Sequence, residues 1–360
     1  MSIRVSGLSK AYGSHSVLDG LDLEVERQSF TVMCGPTGSG KSVLLRLLVG
    51  LETPDAGTIS LNDVDITGYS AAQRSVGYVP QSFALYPHLT VRANIGYPLK
   101  LAGRPSREIA KRVDWAAGVL DINHLLDKKP AQLSGGEKQR TAVARGLLKD
   151  ADIFLLDDPL VGLDYKLRER LMDELKSIQQ DLKATFFYAT SDSLEALTMA
   201  EKILVLDGGA VVQKGDVVDV YRHPTHRRSM ELLGFPRANI LPVERRGAEV
   251  SAGPFKLDGA PVGAALAGLR PEAFSLGDKG GIKARATIQL IEDLGGEQVI
   301  YAEADGHPLT WAVATHGLRI VEEGEAVELA VDPDAFVFFD GRDGARLDKP
   351  AAAASAEAAP

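Results

Sequence analysis

A run of eight residues, Gly35-Pro36-Thr37-Gly38-Ser39-Gly40-Lys41-Ser42, has the types and spacing needed to hold a chain of phosphates. It follows the β-rich run Phe30–Cys34 and opens a helix-forming segment, which is the context that the phosphate-loop pattern requires. The glycines let backbone N–H groups turn inward around phosphate oxygens, and the helix N-terminus adds partial positive charge. We expect Lys41 to reach the β- and γ-phosphates of ATP and the Ser42 hydroxyl to ligate Mg²⁺.

An acidic residue at a strand end supplies the other half of a magnesium site. Asp157 directly follows the apolar run Ile153–Leu156, which reads as a buried strand. A carboxylate at this place faces the nucleotide in phosphate-loop proteins and holds Mg²⁺, often through water. Together with Ser42, Asp157 predicts a site for ATP and Mg²⁺.

A second anion-binding helix start is predicted at Ser134-Gly135-Gly136-Glu137. Such a turn presents backbone N–H groups and the positive end of the helix dipole. One chain does not need two such sites for one γ-phosphate, but two chains facing each other head to tail do. We therefore predict that Ser134, Gly135, Gly136 and Glu137 close the nucleotide site of a partner chain.

These residues need a mainly parallel α/β sheet to position them. Residues 1 to about 235 alternate apolar strand runs with helical segments, which is typical of that architecture, and residues 87–150 read as a helical insert. After Phe235-Pro236, short alternating runs such as 285–290 and 326–331 are punctuated by Gly, Asp and Pro. This pattern predicts a small antiparallel sandwich or barrel over 236–348. We expect the Ala-rich tail, 349–360, to be disordered.

Composition narrows the class of partner. The formal net charge of −9 argues against nucleic acid as a partner, because binding to its backbone depends on clustered Lys and Arg. Cys34 is the only cysteine, so an internal disulfide is excluded, which fits a reducing cytosol. No apolar run approaches the ~18 residues of a membrane span, so a protein working at a membrane would dock on other subunits.

These motifs together resemble the ATP-binding subunit of an ABC transporter, most closely the type serving bacterial carbohydrate importers for maltose and glycerol phosphate, over residues 3–348. The resemblance implies a RecA-like nucleotide-binding domain and an OB-like β-barrel regulatory (TOBE) domain, the latter matched by 220–224, 239–241 and 268–272. It implies that Tyr12 stacks on adenine and that Gln81 senses Mg²⁺ and the γ-phosphate. It further implies that 84–91 forms the groove for a permease, and that Leu163-Asp164 crosses the dimer interface.

The resemblance also implies partners. They are two permease subunits, a second ATPase subunit and, indirectly, a periplasmic solute-binding protein. The expected location is the cytoplasmic face of the plasma membrane.

Two residues depart from the family pattern at the catalytic positions. Asp158 stands where the family places a Glu that polarises water, and its carboxylate sits about 1.5 Å further back. Ser191 stands where the family places a His, and Ser is too short to span to the γ-phosphate and cannot carry positive charge. Because catalysis by a general base is limited by geometry, these departures predict weak hydrolysis at this chain's own site. Glu137, where Gln is usual, is read as functional.

Weak hydrolysis at one site predicts a heterodimer in which a non-identical partner supplies the strong site. The alternative is a homodimeric, active ATPase in which Asp158 suffices as the base and Ser191 acts through water. A further alternative is a scaffold that senses ATP without hydrolysing it. A soluble ABC protein acting on DNA or ribosomes would need coiled coils, two nucleotide domains or basic surfaces, and the sequence shows none of them.

Overall fold

The structure, a computed structural model, describes residues 2–247, 249–277, 281–314 and 321–348. The chain forms two compact units that divide between Val220 and Tyr221. The predicted domain boundary at residue 235 therefore stays a prediction, and the predicted tail 349–360 lies outside the described residues. Within the described ranges, no helix is both long and apolar enough to cross a membrane.

A six-stranded sheet in the order β10-β9-β3-β8-β7-β6 forms the centre of the first unit. Five of its strands run parallel, and β10 alone runs antiparallel. Strands β3, β7 and β8 are buried along their whole length, which explains why they read as continuous apolar runs. The six strands are β3 (Phe30–Cys34), β6 (Val76–Val79), β7 (Ile153–Asp157), β8 (Thr185–Thr190), β9 (Lys202–Asp207) and β10 (Ala210–Asp216).

An antiparallel sheet in the order β2-β1-β4-β5 completes the strands of this unit. Its buried residues share one apolar core with α1 and with the parallel sheet. Helix α1 continues directly from the phosphate loop, so its packing in this core holds the C-terminal end of the loop in place. The four strands are β1 (Ile3–Tyr12), β2 (His15–Val25), β4 (Ala56–Leu61) and β5 (Val64–Asp65), and the helix is α1 (Lys41–Val49).

Helices fill the chain between β6 and β7, as the sequence indicates. They are α2 (Val91–Leu101), α3 (Ser106–Val119) and α4 (Gly135–Leu147), with single 3-10 turns at Asn123–Leu125 and Pro130–Gln132. Two more helices follow strands of the parallel sheet, namely α5 (Tyr165–Leu182) and α6 (Ser193–Met199). Helix α7 (Val217–Arg222) spans the division between the units.

The second unit begins with α8 (Arg227–Leu232) and is otherwise rich in β structure. It contains two antiparallel sheets, in the orders β13-β12-β11-β14-β20-β21 and β15-β19-β16-β17-β18. Both sheets contribute to one core that includes Phe255, Trp311 and Phe338. Its strands are β11 (Asn239–Arg246), β12 (Glu249–Ala252), β13 (Phe255–Leu257), β14 (Ala264–Leu269), β15 (Phe274–Leu276), β16 (Ile282–Asp293), β17 (Glu297–Ala304), β18 (His307–Ala314), β19 (Ala326–Val331), β20 (Val337–Asp340) and β21 (Arg346–Leu347).

The predicted fold class is confirmed in both parts. The first unit is a mainly parallel α/β domain with a helical insert, and the second is an antiparallel β domain. Two 3-10 turns, Pro271–Ala273 and Pro333–Ala335, interrupt the strands of the second unit.

Candidate functional site

The loop between β3 and α1 has a shape that requires its glycines. A Cβ on Gly35 would lie 2.1 Å from the carbonyl oxygen of Leu206, so no side chain fits there. Gly38 and Gly40 have φ of +84° and +104°, a region that L side chains rarely adopt. These constraints leave a narrow turn whose backbone can approach a ligand closely.

Lys41 is folded back across this loop. Its Nζ donates to the carbonyl oxygens of Gly35 at 2.7 Å and Pro36 at 3.0 Å. Burial lowers the pKa of Lys41, and the negative charge of Asp158 opposes that shift. The ammonium group is thus held at the mouth of the loop by two neutral carbonyls, which a phosphate oxygen could replace with a stronger charge-assisted bond.

The loop also contains a buried hydroxyl without a partner. Ser39 Oγ is enclosed by the loop and makes no hydrogen bond within the described structure. Buried polar groups are nearly always paired, so an unpaired donor in a glycine-lined turn fits an anionic ligand that supplies the acceptor. The cradle, the lysine and this hydroxyl together fit a polyphosphate.

Ser42 and Asp157 form a hydrogen-bonded pair beside the loop. Ser42 Oγ donates to Asp157 Oδ1 at 2.9 Å, and the Tyr78 hydroxyl donates to Oδ2 at 3.4 Å. Asp157 is 2% exposed, and burial raises its pKa while the bond from Ser42 opposes that rise. The pair lines a cavity of about 520 Å³ together with Gln81. Thus the three residues predicted as metal ligands border one space.

The donor chemistry of this pair fits Mg²⁺. Hydroxyl and carboxylate oxygens are hard donors, and Mg²⁺ in nucleotide sites is usually bound by one or two carboxylates together with substrate phosphates and water. In the described part of the chain, no cluster of three or more His, Cys, Asp or Glu side chains gathers as an all-protein metal cage. The site therefore suits a cation that is completed by phosphate oxygens and water.

Asp158 and Ser191, the two unusual residues, lie side by side. They follow the neighbouring parallel strands β7 and β8, and the Asp158 N–H donates to the Ala189 carbonyl at 2.9 Å. The Ser191 N–H donates to Asp158 Oδ1 at 3.2 Å, while the backbone of Asp158 has φ of +44°. The backbone N–H of Ser191, rather than its side chain, therefore holds the Asp158 carboxylate, and a role for that carboxylate as general base stays a prediction.

The Tyr12 ring stands at the end of β1 and is 45% exposed. Its hydroxyl donates to the Glu52 carboxylate, which also accepts from Arg46 Nε at 2.6 Å. The Lys10 ammonium lies 5.6 Å from the ring centre. An exposed, anchored ring suits a flat ligand, and stacking on adenine stays a prediction.

The Ser-Gly-Gly-Glu turn caps α4. Ser134 Oγ accepts from the Glu137 N–H at 3.4 Å, and Glu137 Oε2 accepts from the Ser134 N–H at 2.7 Å, which is a capping box. The bond from the Ser134 backbone lowers the pKa of Glu137. A Cβ on Gly136 would lie 3.1 Å from the Leu163 side chain, so this turn packs against the loop that carries Asp164.

Asp164 starts the next helix by the same physical device. Its Oδ1 accepts from the Leu167 N–H at 3.0 Å and caps α5. The structure therefore brings the Ser134–Glu137 turn and the Leu163-Asp164 loop together. The capping bonds of that turn lie within the turn itself, and action on a partner's nucleotide stays a prediction.

Comparisons with known proteins decide the family. Residues 18–161 match the family model described as ABC transporter, and residues 267–339 match that of the TOBE domain. The sn-glycerol-3-phosphate import ATP-binding protein UgpC of Ruegeria sp. strain TM1040 is 36% identical, with 96% of this chain and 99% of that protein covered. The chain belongs to the family of ABC transporter ATP-binding proteins.

Other relatives agree with this assignment. UgpC of Rhizobium meliloti strain 1021 is 38% identical over 94% of this chain and 98% of its own length. The maltose/maltodextrin import ATP-binding protein MalK of Photorhabdus laumondii is 34% identical over 92% of this chain and 94% of its own. Among solved structures, the dimeric ABC transporter cassette MJ0796 is 29% identical, with a TM-score of 0.57 and coverage of 60% of this chain and 98% of that one.

Some residues around the site of this ABC protein escaped the sequence analysis. Arg46, Tyr78 and Arg145 line the same cavity as Ser42 and Asp157. Tyr78 lies three residues before Gln81, which was the only signal for it in the sequence. Arg46 lies four residues after Ser42 in α1, and this spacing, which places both on one face of the helix, could have indicated it. Arg145 lies in the last turn of α4, and no motif relates it to the site.

The sequence also gives no indication of a role for Arg168. Its Nη1 bonds to Asp192 Oδ2 at 3.1 Å, and its Nη2 donates to the Leu163 carbonyl at 3.4 Å. It therefore joins the dimer-loop segment to the turn that carries Ser191. No sequence motif marks it, because its partners lie on different loops.

Proposed function

We propose that this ABC protein is the ATP-hydrolysing subunit of an importer for glycerol phosphate or a sugar-like solute. The observation that carries the proposal is the hydrogen bond between the half-buried Ser42 and the buried Asp157, at the mouth of a glycine-lined loop that holds Lys41. Full-length similarity to relatives named as import ATP-binding proteins for sn-glycerol-3-phosphate and for maltose supports import and this class of solute.

In this proposal, residues of one chain bind and orient the nucleotide. Tyr12 stacks on the base, the loop N–H groups and Lys41 hold the phosphates, and Ser42, Asp157 and Gln81 hold Mg²⁺. Bound there, Mg²⁺ supplies charge neutralisation and orientation at the β- and γ-phosphates. Asp158, fixed by the Ser191 N–H, accepts the proton of the attacking water.

We further propose that the chain works from the cytoplasmic face of the plasma membrane. Two permease subunits dock on the 84–91 segment, and a periplasmic solute-binding protein acts through them. In a dimer of two ATP-binding chains, the Ser134–Glu137 turn of each chain completes the nucleotide site of the other.

The identity of that second chain is the finer question. Asp158 and Ser191 favour a degenerate site and a heterodimer on chemical grounds. Full-length similarity to import ATP-binding proteins supports the alternative better, namely an active ATPase paired with a second copy of itself, and the comparisons support neither weak hydrolysis nor a non-identical partner. We therefore take the homodimer with Asp158 as base as the proposed function, and the heterodimer as the second candidate.

Lys41→Ala tests the nucleotide site. It removes a charge-assisted phosphate contact, so ATP affinity of the purified full-length chain should fall about 10-fold or more, taking ~1.5–3 kcal/mol for such a bond. Lys149→Ala is the matched control, because burial also lowers the pKa of Lys149 and its Nζ also donates to a backbone carbonyl, that of Arg74 at 3.3 Å. Equal affinities in wild type and Lys41→Ala would remove the site assignment.

The solute class needs a separate measurement. Cells that express the chain with its permeases and its solute-binding protein should take up radiolabelled sn-glycerol 3-phosphate or maltose, and Lys41→Ala should abolish that uptake. Uptake of neither compound, in cells where the assembled complex hydrolyses ATP, would contradict the solute assignment and leave the ATPase assignment in place.

A further inference from the structure

An arginine at the far end of α4 holds the loop that follows Gln81. Arg145 lies in the last turn of this helix. Its Nη1 donates to the Ala84 carbonyl at 2.6 Å and its Nη2 to the Phe83 carbonyl at 3.1 Å, while its guanidinium carbon lies 5.7 Å from the centre of the Tyr86 ring. One planar fork thus binds two successive carbonyls, a geometry that only arginine provides.

This contact holds the loop in a conformation it would not adopt readily. Ala84 has φ of +47°, a left-handed conformation that is uncommon for alanine. Burial lowers the pKa of Arg145, and its contacts in the described structure are neutral carbonyls and an aromatic ring. An uncommon backbone conformation and a half-buried cation therefore occur at the same contact, so this contact helps to set the conformation of the loop.

A different residue holds the other half of the loop. Asn94 in α2 is fully buried, accepts from the Tyr86 N–H at 2.8 Å, and donates to the carbonyls of Leu89 at 3.2 Å and Thr90 at 3.0 Å. Asn94 thereby fixes the part next to α2. Arg145 fixes the part next to Gln81.

The cavity beside the phosphate loop connects these features. Its wall of Ser42, Asp157 and Gln81 continues through Ala84 to Arg145, around a space of about 520 Å³. Arg145 therefore borders the same space as the predicted metal ligands. It does so from the helix whose first turn is predicted to serve the partner's nucleotide.

We propose that Arg145 is a positioning residue that places Gln81 beside the Ser42–Asp157 pair. It touches neither phosphate nor metal and acts through the backbone of Phe83 and Ala84. Since α4 is one continuous helix from Gly135 to Leu147, this contact ties the turn that serves the partner's ATP to the metal end of the chain's own site. The inference rests on the proposed function, because it takes Gln81 as a residue that senses Mg²⁺.

The test compares two arginines of the same helix. Arg145→Lys keeps the charge and loses the fork. Arg140→Lys is the matched control, because Arg140 Nη1 also donates to two successive carbonyls, those of Leu120 at 3.1 Å and Asp121 at 3.0 Å, away from the Gln81 loop. ATP affinity of each full-length variant is measured by calorimetry, once with Mg²⁺ and once with EDTA.

Arg145→Lys should leave ATP affinity in EDTA unchanged and should lose about five-fold in affinity in Mg²⁺, the size of one hydrogen-bond contribution. Gln81→Ala should behave in the same way, and the double variant should match Gln81→Ala alone, because Arg145 acts through Gln81. Arg140→Lys should keep wild-type affinity in both buffers.

Three results would overturn the inference. They are an equal loss in Mg²⁺ and EDTA, additive losses in the double variant, and an Arg140→Lys variant that behaves like Arg145→Lys. If Lys41→Ala also left ATP affinity unchanged, the proposed function would fail as well. If Lys41→Ala weakens ATP binding but Gln81→Ala does not reduce the increase in ATP affinity that Mg²⁺ causes, the nucleotide site stands. The sensing role of Gln81 and the positioning role of Arg145 then both fail.

Discussion

At the residue scale, the place of one carboxylate decides what this site can do. Asp158 is a methylene shorter than the usual Glu, yet its Oδ1 is held by the Ser191 N–H, and its own N–H is bonded to Ala189. A shorter carboxylate that is held in one orientation can be better aligned as a base than a mobile one, because proton abstraction depends on reach and alignment more than on pKa. The proposed homodimer requires Asp158 to act as the base. The hydrogen bond from the Ser191 backbone supports that role, which the residue types alone did not suggest.

A buried carboxylate beneath the same turn should make stability depend on pH. Glu195 is 5% exposed and accepts from the Tyr188 hydroxyl at 2.8 Å and from Thr190 Oγ1 at 2.9 Å. Burial raises its pKa, although both hydrogen bonds oppose that rise. A raised pKa means that the folded state binds the proton more tightly than the unfolded state.

Its contribution to stability is therefore fully present below the unfolded pKa and is lost as the pH rises through the folded pKa. Glu195→Gln keeps a hydrogen-bonding side chain and removes the titration. The free energy of unfolding of wild type, measured by urea denaturation from pH 4 to pH 8, should fall relative to Glu195→Gln as pH rises. Parallel curves for the two proteins would contradict this assignment.

At the element scale, the sequence predicts what is local and misses what is distant. The phosphate loop could be predicted because its residues are adjacent and each glycine has its own steric reason. The strand end at Asp157 followed from the continuous apolar run before it. The contact of Arg145 with Ala84 spans 61 residues, and that of Ser191 with Asp158 spans 33. No periodicity encodes such contacts, because they depend on the order in which the strands pair.

The loop from Gln81 to Thr90 can be used to test where the permease subunits dock. Arg145 and Asn94 hold its backbone from two helices, and the half-buried Leu85 lies between the two points at which they bind it. We expect Leu85 to contact a permease subunit. Leu85→Glu should prevent co-purification with the permease subunits and leave ATP affinity unchanged, because a charge in an apolar contact is costly to desolvate. Leu182→Glu, a charge added to the exposed end of α5, is the control and should keep the complex. Permease loops crosslinking to the C-terminal β unit would contradict the prediction.

At the scale of the whole molecule, the proposed function gives one chain two half-sites that act on different nucleotides. In that proposal Asp158 serves the chain's own ATP, whereas Ser134 at the start of α4 serves the ATP of a partner. In a homodimer, each of the two nucleotides needs both half-sites, and both come from copies of this chain. In a heterodimer with a weak site here, only the half-site lent to the partner is needed for turnover. A pair of variants in the two half-sites therefore reports the composition of the dimer.

We expect Ser134→Arg and Asp158→Asn each to abolish ATP hydrolysis by the purified complex. In a homodimer, a substitution in this chain is present at both nucleotide sites. Ser106→Arg places the same side chain at the exposed start of α3 and should keep wild-type activity. The heterodimer predicts a different pair of rates, with no turnover in Ser134→Arg and nearly normal turnover in Asp158→Asn. Turnover by the chain purified alone, and its loss in Asp158→Asn, would exclude the degenerate site. Normal turnover in Asp158→Asn would instead show that Asp158 is not the base of turnover, and its combination with no turnover in Ser134→Arg would favour a second, different subunit that supplies the active site.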